Sequence, residues 1–159
     1  MDKRAIIVDD EYVCRYALSS FLKKKGYDVI SHDSAACCEL HKGSAFTCSR
    51  REPCGHFFLT DNRMPGINGL GLLARQKNGS CKIPMTRKAV LTGCLTPDEI
   101  ALAEKLGCTV FHKPYDLDQL SGWLDQRNSA VVLPDLKAES IVLIQGFSVN
   151  GYPGQPLKK

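Results

Sequence analysis

The segment Phe57–Gly66, with the sequence FFLTDNRMPG, is an apolar run that ends on an acidic residue and then turns. Its first residues, Phe, Phe, Leu and Thr, have the bulk of a short buried β-strand. The Met-Pro-Gly that follows cannot continue a strand, because proline lacks the amide hydrogen and glycine favours a turn. We therefore expect Asp61, which comes directly after the apolar residues, to lie at the rim of a sheet, where a carboxylate contributes nothing to packing.

Three other strand-like runs also end in polar residues. They are Ala5–Val8 before Asp9 and Asp10, Ala89–Leu91 before Thr92, and Cys108–His112 before Lys113. Helix-like segments separate these runs, which is typical of a parallel sheet covered on both faces. Ligands bind to such sheets at the carboxyl ends of the strands. The sequence therefore predicts one edge that gathers these polar side chains together with Asp61.

The ordered set of strand-end residues resembles the receiver domain of bacterial two-component response regulators, of the stand-alone kind. That family has an acidic pair after the first strand, an acceptor Asp after the third, Thr or Ser after the fourth and Lys-Pro after the fifth. Met64-Pro65-Gly66 and Gly69 are also similar to the family, and the resemblance covers roughly residues 3–127. It implies an α/β, flavodoxin-like, doubly wound (βα)5 fold with a five-stranded parallel sheet in the order 2-1-3-4-5.

The resemblance also implies a chemistry for the site. Asp61 would accept a phosphoryl group from a sensor histidine kinase or a histidine phosphotransfer protein, and Thr92 and Lys113 would hold its oxygens. A Mg²⁺ ion would be held by Asp9, Asp10, Asp61 and the backbone carbonyl of Arg63. The protein would pass the signal to a downstream protein partner, and it would be no enzyme beyond Mg²⁺-dependent self-phosphorylation and autodephosphorylation.

The charges of these residues predict a bound cation independently of the resemblance to the family. Three carboxylates at one rim would repel each other by roughly 3 kcal/mol per pair, at a separation of ~5 Å and an effective dielectric constant of 20. A cation must compensate them. Carboxylate oxygens with water in the remaining positions form the hard, partial ligand shell that Mg²⁺ accepts, and Lys113 adds one fixed positive charge.

Two other functions remain open. A metal-dependent phosphatase of the haloacid dehalogenase type also uses an Asp nucleophile after a strand. It needs a second acid two residues later, however, where this chain has Arg63. The other alternative is a receiver-fold interaction scaffold that is not phosphorylated, for which Asp61 would fail to take up phosphate although the fold is intact.

The composition is that of one ordinary globular domain, with 159 residues, 43% hydrophobic and 24% charged. The formal net charge of +4 is small, and no basic face carries interleaved aromatic residues, so nucleic-acid binding is not predicted. The sequence has no apolar run of 18 residues, and its first residues lead into a short strand rather than a signal sequence. We therefore expect a cytoplasmic protein without membrane insertion.

The chain contains eight cysteines but no CxxC pair. In a reducing compartment, free thiols that serve as small buried hydrophobes or loop residues are the expected state. The alternative is a metal or redox site that combines Cys48 and Cys54 with His41 and His56, although their spacing is irregular for zinc.

Three segments depart from a regular alternation of strands and helices. A short second helix from Asp33 or Ser34 to about His41 has only a thin apolar stripe. Residues 43–55 lack periodicity and predict a surface loop. Met85–Lys88 stand between an Ile-Pro pair and the fourth apolar run, which indicates an insertion or a bulge.

The receiver-like domain is predicted to comprise residues 1–127. From residue 128 onward the helical periodicity is lost, and proline and glycine recur. We expect residues 128–159 to be a C-terminal extension, flexible or packed as a short arm, with no output domain.

One position differs from the device that many receiver domains use to transmit the signal. Three residues before the lysine, these relatives have a Tyr or Phe ring that moves inward, whereas this chain has Val110. The neighbouring Phe111 has the opposite strand parity, so its ring should face the other side of the sheet. How the phosphoryl group is read out is therefore left open.

Overall fold

The computed structural model describes residues 3–42 and 47–129. Five parallel strands form one sheet in the order β2-β1-β3-β4-β5, as the sequence analysis predicted. The strands are β1 (Arg4–Val8), β2 (Asp28–His32), β3 (Phe57–Asp61), β4 (Lys88–Thr92) and β5 (Thr109–His112). Four helices connect or follow them: α1 (Tyr12–Lys24), α2 (Gly69–Asn78), α3 (Pro97–Leu106) and α4 (Leu117–Ser129).

Strand β3 lies in the middle of the sheet, and all five of its residues are buried. Its side chains alternate between two apolar layers. Phe57 and Leu59 pack in the layer that contains residues of α1 and α4, and Phe58 packs in the layer that contains residues of α2 and α3. Because both faces are covered, β3 holds the residue at its carboxyl end, Asp61, in a fixed position.

Local sequence signals set the ends of helix α3. Thr96 and Glu99 form a capping box, in which each side chain accepts a hydrogen bond from the backbone amide of the other residue, and Pro97 occupies the first turn. Gly107 ends the helix in the left-handed conformation, with φ 76°. Residues close together in the sequence thus set both ends of this helix.

The predicted second helix is wrong in its type. The segment forms two 3₁₀ turns, Ala35–Cys37 and Glu39–Lys42, instead of an α-helix. Of these seven positions, Ala35 and Leu40 are the buried apolar ones. Two buried apolar side chains are too few to stabilise a longer helix against the entropic cost of forming it.

The predicted insertion before the fourth strand is a 3₁₀ turn, Met85–Arg87, that leads directly into β4. Lys88 itself belongs to the strand rather than to the insertion, and its side chain is completely buried. Its ammonium donates a hydrogen bond of 2.7 Å to the side-chain oxygen of Gln76 on α2.

Helix α4 extends to Ser129, so residues 128 and 129 belong to it. The rest of the predicted C-terminal extension, residues 130–159, lies outside the described residues, as do residues 43–46 of the predicted loop. Within the described part of the chain, no helix has the length and apolar character that crossing a membrane requires.

Candidate functional site

The sheet register brings the strand ends to a common level. In the pairing of β1 with β3, Val8 is opposite Thr60, so Asp9 and Asp61 follow at neighbouring positions. On the other side, Thr92 is opposite His112, and the next residue is Lys113. The predicted edge of polar residues is therefore formed by the ends of four adjacent strands.

The ammonium of Lys113 lies between two carboxylates. Its Nζ donates to Oδ1 of Asp61 at 2.7 Å and to Oδ2 of Asp9 at 3.1 Å. The Asp9 and Asp61 side chains are almost completely buried, and the Lys113 side chain is 22% exposed. Since both carboxylates contact the same nitrogen, their nearest oxygens lie within about 6 Å of each other.

Backbone amides bind the second oxygen of each carboxylate. The amide of Arg63 donates to Oδ2 of Asp61 at 2.6 Å, and the amide of Glu11 donates to Oδ1 of Asp9 at 2.9 Å. Each carboxylate oxygen thus has one protein donor and keeps a free lone pair. The loops that follow β1 and β3 hold both acids in a fixed orientation.

Burial and charge act in opposite directions on these groups. Burial raises the pKa of Asp9 above its ordinary value, although the Glu11 amide and Lys113 oppose the rise. Burial alone would lower the pKa of Lys113, but its hydrogen bonds with Asp61 and Asp9 outweigh this effect and raise it. Lys113 therefore stays protonated at neutral pH and supplies a permanent positive charge to the site.

Thr92 lies at the same edge but makes a different contact. Its hydroxyl is buried and donates to the backbone carbonyl of Cys94 at 2.8 Å. Its own carbonyl accepts a hydrogen bond of 2.6 Å from the amide of Lys113. The backbone positions of Thr92 and Lys113 are thus linked, while the hydroxyl is directed along its own loop.

The structure does not bring all the predicted residues into contact. Asp10 is exposed, and among the described residues it forms no hydrogen bond with the other acids. The amide of Arg63 donates to Asp61, its guanidinium pairs with Glu99 at 3.0 Å, and the role of its carbonyl as a metal ligand stays a prediction.

Sequence reasoning missed a link between the acceptor loop and α3. The Asn62 side chain is buried, donates to Glu99 at 3.1 Å and accepts from the amide of Leu70 at 3.2 Å. Glu99 belongs to the capping box of α3. Its carboxylate also binds Asn62 and Arg63, so one side chain connects the loop after β3 with the loop after β4.

Gly69 lets helix α2 begin directly against the end of β3. A Cβ at this position would lie 2.3 Å from the carbonyl oxygen of Asp61 and 3.0 Å from the methyl group of Thr60. These distances leave no room for a side chain, because the first contact is with backbone. Gly69 therefore lets α2 pack closely against the carboxyl end of β3, next to Asp61.

Comparison with known proteins identifies the family. No family model matches the sequence. Over 121 residues the chain is 30% identical to Sporulation initiation phosphotransferase F of Bacillus subtilis, covering 76% of this chain and 89% of that protein. The chain belongs to the receiver domain family of response regulators. As a response regulator, it is a phosphoacceptor protein of two-component signal transduction.

A second relative of this receiver domain is the transcriptional regulatory protein FixJ of Bradyrhizobium diazoefficiens. The two are 29% identical over 146 residues, which cover 91% of this chain and 64% of FixJ. The receiver domain therefore matches only part of that longer protein.

Solved structures of receiver domains have the same fold. A response regulator receiver protein from Pseudomonas putida is 25% identical, with a TM-score of 0.63, and the match covers 79% of this chain and 98% of that one. FixJ-N is 26% identical, with a TM-score of 0.62, and the match covers 84% and 99% of the two chains. These similarities support the five-stranded architecture independently of the motifs.

Phe111 and Val110 face opposite sides of the sheet, as the sequence predicted. Phe111 is buried in the layer of α1 and α4, and its ring lies edge-on to that of Trp123 at 5.7 Å. Val110 packs on the opposite face, in the layer of α2 and α3. The ring at position 111 therefore faces the layer of α1 and α4, and the opposite face has Val110 in place of a ring.

Proposed function

We propose that Asp61 is the phosphoacceptor residue of this receiver domain. The observation that carries the assignment is the ammonium of Lys113, which lies 2.7 Å from Asp61 and 3.1 Å from Asp9. Of the two acids, Asp61 ends the central strand β3, and it is paired with Leu91, the residue before Thr92 at the end of β4. Asp9 then shares the positive charge of Lys113 with Asp61, and Asp61 acts as the nucleophile.

The proposed reaction is phosphoryl transfer from a phosphohistidine. A carboxylate oxygen of Asp61 attacks the phosphorus, a P–O bond forms as the P–N bond breaks, and the imidazole leaves. Such a transfer needs an in-line nucleophile and neutralisation of the equatorial oxygens. Lys113 would bind one of these oxygens. The hydroxyl of Thr92 would turn away from the Cys94 carbonyl and donate to a second phosphoryl oxygen. This turn would move the loop after β4.

The acids at this edge fit a Mg²⁺ ion. Mg²⁺ usually takes one or two carboxylates, and water completes its octahedral shell. Asp9 and Asp61 supply lone pairs at the edge, and exposed Asp10 lies next to them in sequence. Among the described residues, no group of three or more His, Cys, Asp and Glu side chains is already gathered around one point. We therefore propose Asp9, Asp10 and Asp61, with the Arg63 carbonyl, as ligands that close on the ion as it binds. When bound, Mg²⁺ would neutralise charge on the transferred group.

The partner that delivers the phosphoryl group must cover the carboxyl edge. Helix α1 begins just after Asp9 and Asp10, and it carries three large apolar side chains, those of Tyr12, Val13 and Tyr16, that are 63% to 70% exposed. Beside them, a groove of about 590 Å³ reaches from Val13 to Pro114 and Leu117. We propose that a helix of a sensor histidine kinase or of a histidine phosphotransfer protein docks here, because this patch adjoins the acceptor.

A downstream protein partner needs a surface that responds to Thr92 and Lys113. Helix α3, strand β5 and helix α4 lie next to these two residues, and Ile100 and Leu117 expose apolar surface there. We propose this face as the output surface of a cytoplasmic protein.

The experiment that tests this function is phosphorylation by acetyl phosphate with and without Mg²⁺. We expect the intact mass to rise by one phosphoryl group only when Mg²⁺ is present, and Asp61→Asn to remove the gain. Asp33→Asn is a matched control, because Asp33 is an exposed acid just beyond β2. Among the described contacts, its side chain forms no hydrogen bond or ion pair with Asp61 or Lys113. Equal phosphorylation of the Asp61→Asn protein would remove the assignment. An intact fold with no phosphorylation would indicate the interaction scaffold instead.

A further inference from the structure

The carboxylate of Glu99 binds three donors that come from two separate loops. Its Oε2 accepts from the guanidinium of Arg63 at 3.0 Å and from the backbone amide of Thr96 at 2.9 Å. Its Oε1 accepts from the side-chain amide of Asn62 at 3.1 Å. Thr96 lies in the loop after β4, whereas Asn62 and Arg63 follow β3. One carboxylate therefore holds the acceptor loop against the start of α3.

The two donors from the acceptor loop differ in how firmly the rest of the fold holds them. Asn62 is completely buried, its backbone amide donates to the Leu91 carbonyl at 3.0 Å, and its side-chain oxygen accepts from the Leu70 amide at 3.2 Å. The Arg63 side chain is 54% exposed, and among the described residues its guanidinium has Glu99 as its hydrogen-bond partner. Asn62 is thus fixed by several contacts, while the direction of the Arg63 guanidinium depends on Glu99.

The Arg63 side chain starts beside the acceptor. Its backbone amide donates to Oδ2 of Asp61 at 2.6 Å, so a phosphoryl group on Asp61 would form next to the Arg63 backbone and within reach of its long side chain. Arginine binds phosphate oxygens through two parallel, charge-assisted hydrogen bonds. The Glu99 carboxylate and a phosphoryl group would therefore compete for the same guanidinium.

We propose that Glu99 is a positioning residue for loss of the phosphoryl group, and that it acts by holding the Arg63 guanidinium away from Asp61. The inference rests on the proposed function, because it requires phosphorylation of Asp61. In the hydrolysis, a water oxygen bonds to phosphorus roughly in line with the Asp61 oxygen, whose P–O bond breaks. Asp61 returns to a carboxylate, and both hydrogens of the water leave on dihydrogen phosphate.

The position of the guanidinium decides how open the path of this water is. While Glu99 binds Arg63, the guanidinium lies on the side of α3 and leaves the phosphorus accessible. Without the charge of Glu99, the guanidinium would turn to the phosphoryl oxygens and cover the side from which water attacks. Glu99 therefore shortens the lifetime of the phosphorylated state.

The first test is the variant Glu99→Gln, which removes the charge but retains a side chain that can form a capping box. Both proteins are phosphorylated with acetyl phosphate and Mg²⁺, the donor is removed, and decay is followed by intact mass. We expect the variant to lose its phosphoryl group about two- to fivefold more slowly, which is the size of effect that one partly exposed ion pair supplies. Asp98→Asn is the matched control, because Asp98 is an exposed acid in the same first turn of α3; it should decay as the unsubstituted protein does.

The second test asks whether Glu99 acts through Arg63. Adding Glu99→Gln to Arg63→Ala should leave the decay rate of Arg63→Ala unchanged, because no guanidinium remains to be held. If Glu99 instead acts only by capping α3 or by binding Asn62, Glu99→Gln should change the rate equally in both backgrounds. An unchanged or faster decay of Glu99→Gln, or an equal effect with and without Arg63, would overturn this inference and leave Asp61 as the acceptor. Failure of the unsubstituted protein to take up phosphate would overturn the proposed function as well.

Discussion

Replacing Lys113 with Met should destabilise the protein because it leaves two buried carboxylates without their shared cation. At ~3 Å and an effective dielectric constant of 20, each contact of the ammonium is worth roughly 5 to 6 kcal/mol before desolvation is counted. The repulsion between Asp9 and Asp61, at about 6 Å, is roughly 3 kcal/mol on the same basis. The variant regains the hydration cost of the ammonium, which is several kcal/mol. We therefore expect a net loss of about 3 to 5 kcal/mol in the free energy of unfolding, which is the usual cost of breaking a buried ion pair. The 22% exposure of Lys113 favours the lower end.

The loss should also depend on pH. Without Lys113, the pKa of Asp9 in the folded state rises further above its unfolded value, so protonation favours the folded state. The contribution of Asp9 to the free energy of unfolding is favourable at low pH, and it is lost as the pH rises through the folded-state pKa of Asp9. The loss measured by urea unfolding without Mg²⁺ should therefore be larger at pH 7.5 than at pH 4.5.

Two further variants make this test decisive. Lys82→Met removes an exposed lysine outside the site and should change the free energy of unfolding by less than about 0.5 kcal/mol. Adding Asp9→Asn to Lys113→Met should recover part of the loss, since a single buried carboxylate then remains. A loss below about 1 kcal/mol, or an equal loss at both pH values, would refute the view that Lys113 balances two buried charges.

The single variant Asp9→Asn should raise the melting temperature at pH 7.5 in the absence of Mg²⁺. Because the pKa of Asp9 is raised in the folded state, its ionised form destabilises the fold at pH values above the ordinary pKa of an aspartate. The gain in melting temperature should therefore shrink as the pH falls towards that ordinary pKa. A gain that stays constant across pH would contradict the explanation. Arg63→Ala and Cys94→Glu should each change the rate of dephosphorylation several-fold, because these exposed residues flank the proposed acceptor and Thr92. Their melting temperatures should stay close to that of the unsubstituted protein. Decay of the phosphorylated form, followed by intact mass, measures the rates, and identical decay in the three proteins would show that neither side chain affects hydrolysis.

The residues at the sheet edge could be predicted from the sequence because a strand end is a local property. Each of the four apolar runs stops at a polar residue, and the last also stops before Pro114. A parallel sheet necessarily brings such ends to one edge, whatever the details of packing. The α3 capping box and the left-handed Gly107 were predictable for the same reason, since a few neighbouring residues set both.

Local patterns were insufficient where the outcome depended on distant partners. The segment after β2 forms two 3₁₀ turns because few of its side chains find a buried contact. The second role of Glu99 arises from Asn62 and Arg63, which reach it from the loop after β3. Neither contact leaves a signal in the sequence around Glu99.

By itself, the sequence determined the order of strands and helices and the acids, hydroxyl and lysine that end the strands, because the spacing of apolar residues and turn formers encodes these features locally. Only the tertiary structure decided that the Lys113 ammonium sits between Asp9 and Asp61, that Thr92 donates to Cys94, and that one carboxylate links the loops after β3 and β4. Side-chain direction and the meeting of distant segments depend on packing and on the balance of burial against charge. Those energies exist only once the chain has folded.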